Sequence, residues 1–148
     1  MKKLIELNPK IIVISYILID IICTGAGMGI PIFCILFGFP LGWYIARRIY
    51  LSTGFSPLTN SRIFKYSLLA ASFTFLIMIV IWGRMILMLF DPSADFENFG
   101  HPYILFEPKA SFIAWAVLMI IISPFLQILT TIFSSFITLT KKNLFERN

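Results

Sequence analysis

Charged side chains are scarce in this 148-residue chain, at 13% of residues against roughly 25% in an ordinary soluble domain. Hydrophobic residues make up 59% of the sequence. This balance excludes a disordered chain and is not that of a typical cytosolic enzyme. It indicates an integral membrane protein, and the length predicts a single transmembrane domain over residues 1–148.

Histidine and cysteine are also scarce, with one histidine, His101, and two cysteines, Cys23 and Cys34. The sequence shows no zinc-type spacing and no Ser-His-Asp or Cys-His arrangement. We therefore predict no metal and no cofactor, and favour a protein that is not an enzyme. A weaker alternative is an interfacial enzyme that uses His101 together with the acids of a long loop. Those acids are Asp91, Asp95, Glu97 and Glu107.

Four hydrophobic segments predict an all-α membrane protein built from two helical hairpins. The segments cover about residues 10–25, 30–46, 63–90 and 111–140, with a cytoplasmic loop at 47–62 and an outer loop at 91–110. Each arm of the first hairpin keeps about 16 residues, or ~24 Å, against a hydrocarbon core of ~30 Å. Either both arms span the membrane, with long basic side chains at their ends reaching the lipid headgroups, or the two arms form a re-entrant hairpin that does not fully cross it.

Lysine and arginine are distributed unevenly between the loops. Ten of them precede the first segment, lie in or beside loop 47–62, or follow the last segment, whereas the long loop holds only Lys109. By the positive-inside rule, both termini are predicted to be cytoplasmic, most simply in the cell membrane. Because these charges sit between apolar runs, we expect anionic lipid headgroups as partners and no nucleic acid. The residues expected at the headgroups are Arg47, Arg48, Arg62 and Lys65.

Asp20 and Arg84 are the acid and the base placed inside the apolar segments. Each lies seven residues before the predicted outer end of its segment, at a depth of ~10 Å, so the two residues can form an ion pair. Alternatively, Asp20 makes a hydrogen-bonded helix contact or a proton- or cation-coupled site. Arg84 alternatively reaches the outer interface or binds an anionic solute.

Small and polar residues recur at helical spacing in each segment. Gly38 and Gly42 belong to one such stripe, which begins at Cys34 and ends at Ala46. The last segment carries a stripe of Ser123, Gln127, Thr131, Ser134 or Ser135, and Thr138. Shorter stripes consist of Tyr16, Asp20 and Thr24 in the first segment and of Ser67, Ala71 and Thr74 in the third. These stripes are interpreted as helix-packing surfaces, or else as the polar lining of a solute path.

The function expected from these features is that of a non-enzymatic interaction or accessory subunit of a membrane complex. Such a subunit would form a homo-oligomer or bind another membrane protein. The alternative is a small permease or channel subunit that uses Asp20, Arg84 and the Ser/Thr stripe of the last segment.

Overall fold

The computed structural model describes residues 9–26, 32–53 and 59–146, and these ranges contain helices and no strands. The elements are α1 (Pro9–Ala26), α2 (Ile32–Thr53), α3 (Thr59–Ile86) with a 3-10 turn (Leu87–Phe90), α4 (Pro108–Val117), a π-helical turn (Leu118–Ile122) and α5 (Ser123–Glu146). The prediction of an all-helical protein is confirmed for the described residues.

Three helical segments are long and apolar enough to cross a membrane: Ile32–Leu51, Thr59–Phe90 and Pro108–Lys141. The apolar part of α1, Ile11–Cys23, is shorter. At 1.5 Å per residue it covers about 20 Å, less than a ~30 Å hydrocarbon core. These lengths indicate an integral membrane protein with three segments of full spanning length.

The predicted loop 47–62 is mostly helical. α2 continues to Thr53 and α3 begins at Thr59, so the prediction that the helix ends at Arg47 is wrong. Arginine is a good helix former, and the apolar face of α2 stays buried beyond it. That face belongs to a cluster of Ile45, Ala46, Ile49, Ile63 and Leu139. The outer loop is shorter than predicted, because α4 begins at Pro108. Proline is favoured at the first position of a helix.

α2 lies along α5, and these two helices form the most extensive contact between helices of the bundle. α1 packs on α2 and α3 with one side only. Much of its remaining surface is apolar and exposed, as at Ile14 (57%) and Ile22 (64%). In a membrane this surface faces lipid, which suits apolar side chains as well as a protein interior does.

α1 and α2 cover only part of the length of the longer helices. Ile35, near the start of α2, accepts a hydrogen bond from Thr130, which lies 22 residues after the first residue of α4. The outer part of the bundle is therefore built from α3, α4 and the loop between them. Aromatic rings fill it: Trp82 meets Trp115 edge-on at 5.5 Å, and Phe112 packs against Phe96 and Phe99.

The last segment is one continuous run of helix with a wider turn inside it. The backbone N–H of Ser123 donates to the carbonyl of Leu118, five residues earlier. Pro124 follows at once, and a proline ring crowds the carbonyl of the preceding turn, which explains a break in the regular ladder here. Buried residues recur every four positions across this turn, at Ser111, Trp115, Met119, Ser123 and Gln127.

Candidate functional site

Asp20 is fully buried, with 0% of its surface exposed. The hydroxyl oxygen of Thr74 lies 3.0 Å from each of its two carboxylate oxygens. This contact joins the acid of α1 to the polar stripe of α3, on the side of α1 that packs on the bundle. Both an ionised and a protonated carboxyl group can form a hydrogen bond with a hydroxyl group, so this contact is compatible with either protonation state of Asp20.

Tyr16 lies one turn before Asp20 and extends the polar contact. Its hydroxyl donates to the carbonyl of Ala70 at 2.9 Å and lies 3.1 Å from the Thr74 hydroxyl oxygen. The Thr74 hydroxyl has a single proton to donate. The Asp20 carboxyl group is its nearer and stronger acceptor, at 3.0 Å, because the Ala70 carbonyl lies 3.3 Å from the Thr74 hydroxyl oxygen. The phenol is thereby left to donate to Ala70 or to Thr74.

Gln127 completes the group from the side of α5. Its side chain is fully buried and lies beside the Tyr16 hydroxyl. Neither its amide oxygen nor its amide nitrogen makes a hydrogen bond of good geometry with any described residue. Buried amides are usually satisfied, and leaving one unpaired costs about 1–3 kcal/mol. We call Tyr16, Asp20, Thr74 and Gln127 the Asp20 cluster.

The hydroxyl stripe of α5 is occupied by packing against α2. Hydroxyl groups of Thr130, Ser134 and Ser135 donate to the carbonyls of Ile35, Phe39 and Gly42 at 2.8, 2.6 and 2.9 Å. Thr131 and Thr138 donate within their own helix, to Gln127 and Ser134. These contacts show that the hydroxyl groups of this stripe serve helix packing.

Gly38 and Gly42 allow the two backbones to approach this closely. A Cβ atom at Gly38 would overlap the Thr130 side chain, and one at Gly42 would overlap the backbone carbonyl of Thr131. The glycine stripe and the hydroxyl stripe therefore face one another. Among the predicted stripe residues that the structure describes, Ser67, Ser123 and Gln127 keep buried polar atoms without a hydrogen bond.

Asp20 and Arg84 are not brought together. The residue of α3 level with Asp20 is Thr74, and Arg84 lies ten residues farther along the helix, about 15 Å away. Arg84 is exposed. The prediction of matched depth, and with it the ion pair, is wrong because α3 extends farther outward than α1 does.

Two of the four predicted headgroup residues line one cleft. Arg48 and Arg62 lie at one end of a cavity of about 430 Å³ between α1, α2 and α3. Arg48 donates to the Tyr44 hydroxyl at 2.6 Å. By contrast, the Arg47 guanidinium lies over the Trp43 ring at 4.9 Å, and Lys65 is exposed outside the cavity.

The outer loop separates its histidine from its acids. His101 is 6% exposed and stacks on Tyr103 at 5.5 Å, with Phe112 edge-on at 5.4 Å. Asp91 and Asp95 are exposed, and hydrogen bonds from Ser93 and Asn98 respectively hold the pKa of each carboxyl below its ordinary value. Among the described residues, no three His, Cys, Asp or Glu side chains gather as a metal site.

Thr74 is the member of the site that the sequence did not identify as a partner of Asp20. The available signal was its stripe, since Ser67, Ala71 and Thr74 share a face of α3 and are all buried. Spacing shows that these residues face one neighbour, but it does not show which neighbour.

Comparison with protein-family models, with curated proteins and with solved structures finds no match to this chain.

Proposed function

We propose that the protein is a small permease or channel subunit whose proton- or cation-binding centre is Asp20. The observation that supports this proposal is the full burial of the acid, with the Thr74 hydroxyl of α3 at hydrogen-bond distance from its carboxylate oxygens. An ionisable group inside a membrane costs several kcal/mol and usually marks an ion or proton pathway. With a neutral hydroxyl as its hydrogen-bond partner, this carboxyl group is suited to exchange a proton or a small cation.

The depth of the acid supports the same proposal. Thr74, level with Asp20, lies nine residues after Lys65 and ten before Arg84, or about 14 and 15 Å along α3. If those two basic residues mark the interfaces of a ~30 Å core, Asp20 lies at the midplane. Binding sites of many secondary transporters lie at this depth.

The topology belongs to the proposal as well. Four crossings with both termini in the cytoplasm place Lys65 at the inner interface and Arg84 at the outer interface of the cell membrane. The apolar part of α1 is short for a crossing, so a basic side chain at its inner end would reach the headgroups. Labelling of tags at both termini in intact cells tests this arrangement.

The flux experiment uses purified protein in liposomes with an entrapped pH-sensitive dye and an imposed membrane potential, repeated with sodium and potassium indicators. We expect a flux in wild type that falls to background in Asp20→Asn. Asp95→Asn is the matched control, because it makes the same change in an exposed loop acid and should leave the flux intact.

Carbodiimide labelling provides a second measurement that does not depend on turnover. A hydrophobic carbodiimide modifies protonated carboxyl groups within membranes, and mass spectrometry should locate the adduct at Asp20. The transported cation should slow this labelling. Absence of any flux from folded wild type, together with labelling that no cation slows, would overturn the proposal.

A non-enzymatic accessory subunit is the second candidate. The observation in its favour is the broad apolar surface of α1, on which Leu18 is 56% exposed. A photoreactive residue at Leu18 should then give one discrete protein adduct in native membranes. Val80, which is 77% exposed on α3, is the control position. Heterogeneous adducts without one defined protein partner at both positions would indicate that lipid covers this surface instead.

A further inference from the structure

A single amphipathic cleft lies between α1, α2 and α3. Two adjoining cavities of about 430 and 360 Å³ share five lining residues, and each is within the size range of small-molecule sites. The shared residues are Ile12, Val13, Tyr44, Ile45 and Tyr66. We call the combined space the α1–α3 cleft.

The two ends of the α1–α3 cleft differ in chemistry. Arg48 and Arg62 line one end, whereas the other end is lined by apolar side chains, among them Leu41, Leu69 and Phe73. No acidic side chain lies among the described lining residues. Asp91, Asp95, Glu97 and Glu107 lie in the outer loop, at the far end of α3. The positive charge of the two arginines is therefore not neutralised within the described cleft.

The cleft opens sideways toward the surrounding bilayer. Its lining residues Val13, Tyr66 and Leu69 are 56%, 49% and 68% exposed. A molecule already in the membrane can therefore enter without passing through the bundle. Arg62 belongs to the first turn of α3, and the N-terminal end of a helix adds to the attraction for an anion.

We infer that the α1–α3 cleft binds one anionic phospholipid, with its phosphate at Arg48 and Arg62 and an acyl chain along the apolar end. The Tyr44 hydroxyl accepts the hydrogen bond that holds Arg48 in place. Two positive charges without a described acidic partner complement the phosphate, and the open apolar wall complements the chain. This inference stands apart from the proposed transport function, because the cleft residues are not members of the Asp20 cluster except where Tyr16 borders it.

Native mass spectrometry of the detergent-purified protein tests the inference with phosphatidylglycerol and phosphatidylcholine as probes. Wild type should retain phosphatidylglycerol preferentially. The double variant Arg48→Gln/Arg62→Gln should weaken retention about tenfold or more, since each basic residue contributes roughly 1 kcal/mol. The matched control, Arg47→Gln/Lys65→Gln, removes the same charge outside the cleft and should change retention less than about twofold.

Three results would overturn the inference. Equal loss in the two double variants would show diffuse attraction to the basic surface. Equal retention of phosphatidylcholine would show that charge is not recognised. Displacement of the lipid by soluble glycerol phosphate would show a phosphate site that needs no chain.

A second measurement avoids changing the arginines. A photoreactive amino acid at Leu69, inside the cleft, should capture labelled phosphatidylglycerol several times more efficiently than one at Leu68. The two leucines are neighbours on α3 and are both exposed, but Leu68 does not line the cleft. Equal capture at both positions would also contradict a defined site.

Discussion

The hydroxyl oxygen of Thr74 lies 3.0 Å from each carboxylate oxygen of Asp20, so one side chain of α3 serves both oxygens of the acid. Tyr16 adds ring contacts with Phe37 at 5.5 Å and Phe73 at 5.9 Å, whereas the exposed apolar surface of α1 is as stable in lipid as against protein. These contacts and the Tyr16 hydrogen bond to Ala70 position α1 on the bundle.

Thr74→Val should destabilise the protein by about 1–3 kcal/mol, because it removes the donor that faces a buried carboxyl group while keeping the shape of the side chain. The measurement is reversible unfolding in mixed detergent. Thr74→Ser keeps the hydroxyl and should lie close to wild type. Equal stability of the valine and serine variants would show that the hydrogen bond contributes nothing.

Gly42→Ala should destabilise the protein by roughly 1–3 kcal/mol, because the new methyl group meets the Thr131 carbonyl and forces α2 away from α5. Gly83→Ala is the matched control. Its Cβ atom would lie 3.5 Å from a methyl carbon of Ile79, an ordinary contact, so it should be neutral or slightly stabilising. The same unfolding assay compares them, and a harmless Gly42→Ala would contradict the close approach.

Asp20 and Arg84 should show no energetic coupling. In a double-mutant cycle of Asp20→Asn and Arg84→Gln, the interaction energy should stay below about 0.5 kcal/mol, since the two residues are offset by about 15 Å. A larger coupling would restore the ion pair. Arg84→Gln alone should have little effect, because the side chain is exposed.

Asp91 should titrate below the ordinary range of an aspartate in wild type and move upward in Ser93→Ala. Hydrogen bonds from the Ser93 backbone and hydroxyl lower its pKa, so their contribution to the turn is present above the ordinary pKa and is lost as pH falls through the lowered one. Carboxyl-carbon NMR follows the titration. Asp95 is the internal control, because Asn98 and Glu97 supply its hydrogen bonds; an unchanged Asp91 curve would refute the assignment.

His101→Phe should leave the fold intact or stabilise it slightly. Both ring nitrogens are buried without a hydrogen-bond partner among the described residues, so an aromatic ring of similar shape removes an unpaired polar group. Phe112→Ala, in the same aromatic cluster, should cost about 3–5 kcal/mol. Thermal unfolding compares the two, and a strongly destabilised His101→Phe would point to an essential polar contact at the imidazole.

The sequence predicted the helical class and identified a packing face on α2 and one on α5, because both depend on local patterns, but it did not predict that these two faces meet. Small residues at four-residue spacing identify a face that tolerates close approach, and hydroxyls at the same spacing identify a face that can donate. The end of α2 was misplaced for the opposite reason. Two arginines resemble an interfacial stop, yet the buried contacts of Ile49 continue the helix beyond them.

The partner of Asp20 could not be predicted, because it depends on how far each helix extends. Counting back from the apparent ends placed the acid level with Arg84, whereas the packing of α1 places it level with Thr74. An axial offset between helices leaves no trace in the spacing within either helix. The burial of His101 in an aromatic cluster also depends on tertiary packing and could not be predicted, since the loop sequence alone indicates a solvent-exposed loop.

The wide turn at Leu118–Ile122 has a consequence for the whole last segment. Side chains repeating every four residues from Ser111 to Gln127 would drift by about 160° around a regular helix, and one additional residue in a turn absorbs about 100° of that rotation. The buried side chains of the aromatic outer half and of the hydroxyl-bearing inner half therefore point to the same side of the segment only because of this additional residue. Excising a single residue there would leave both halves helical but point them at different neighbours.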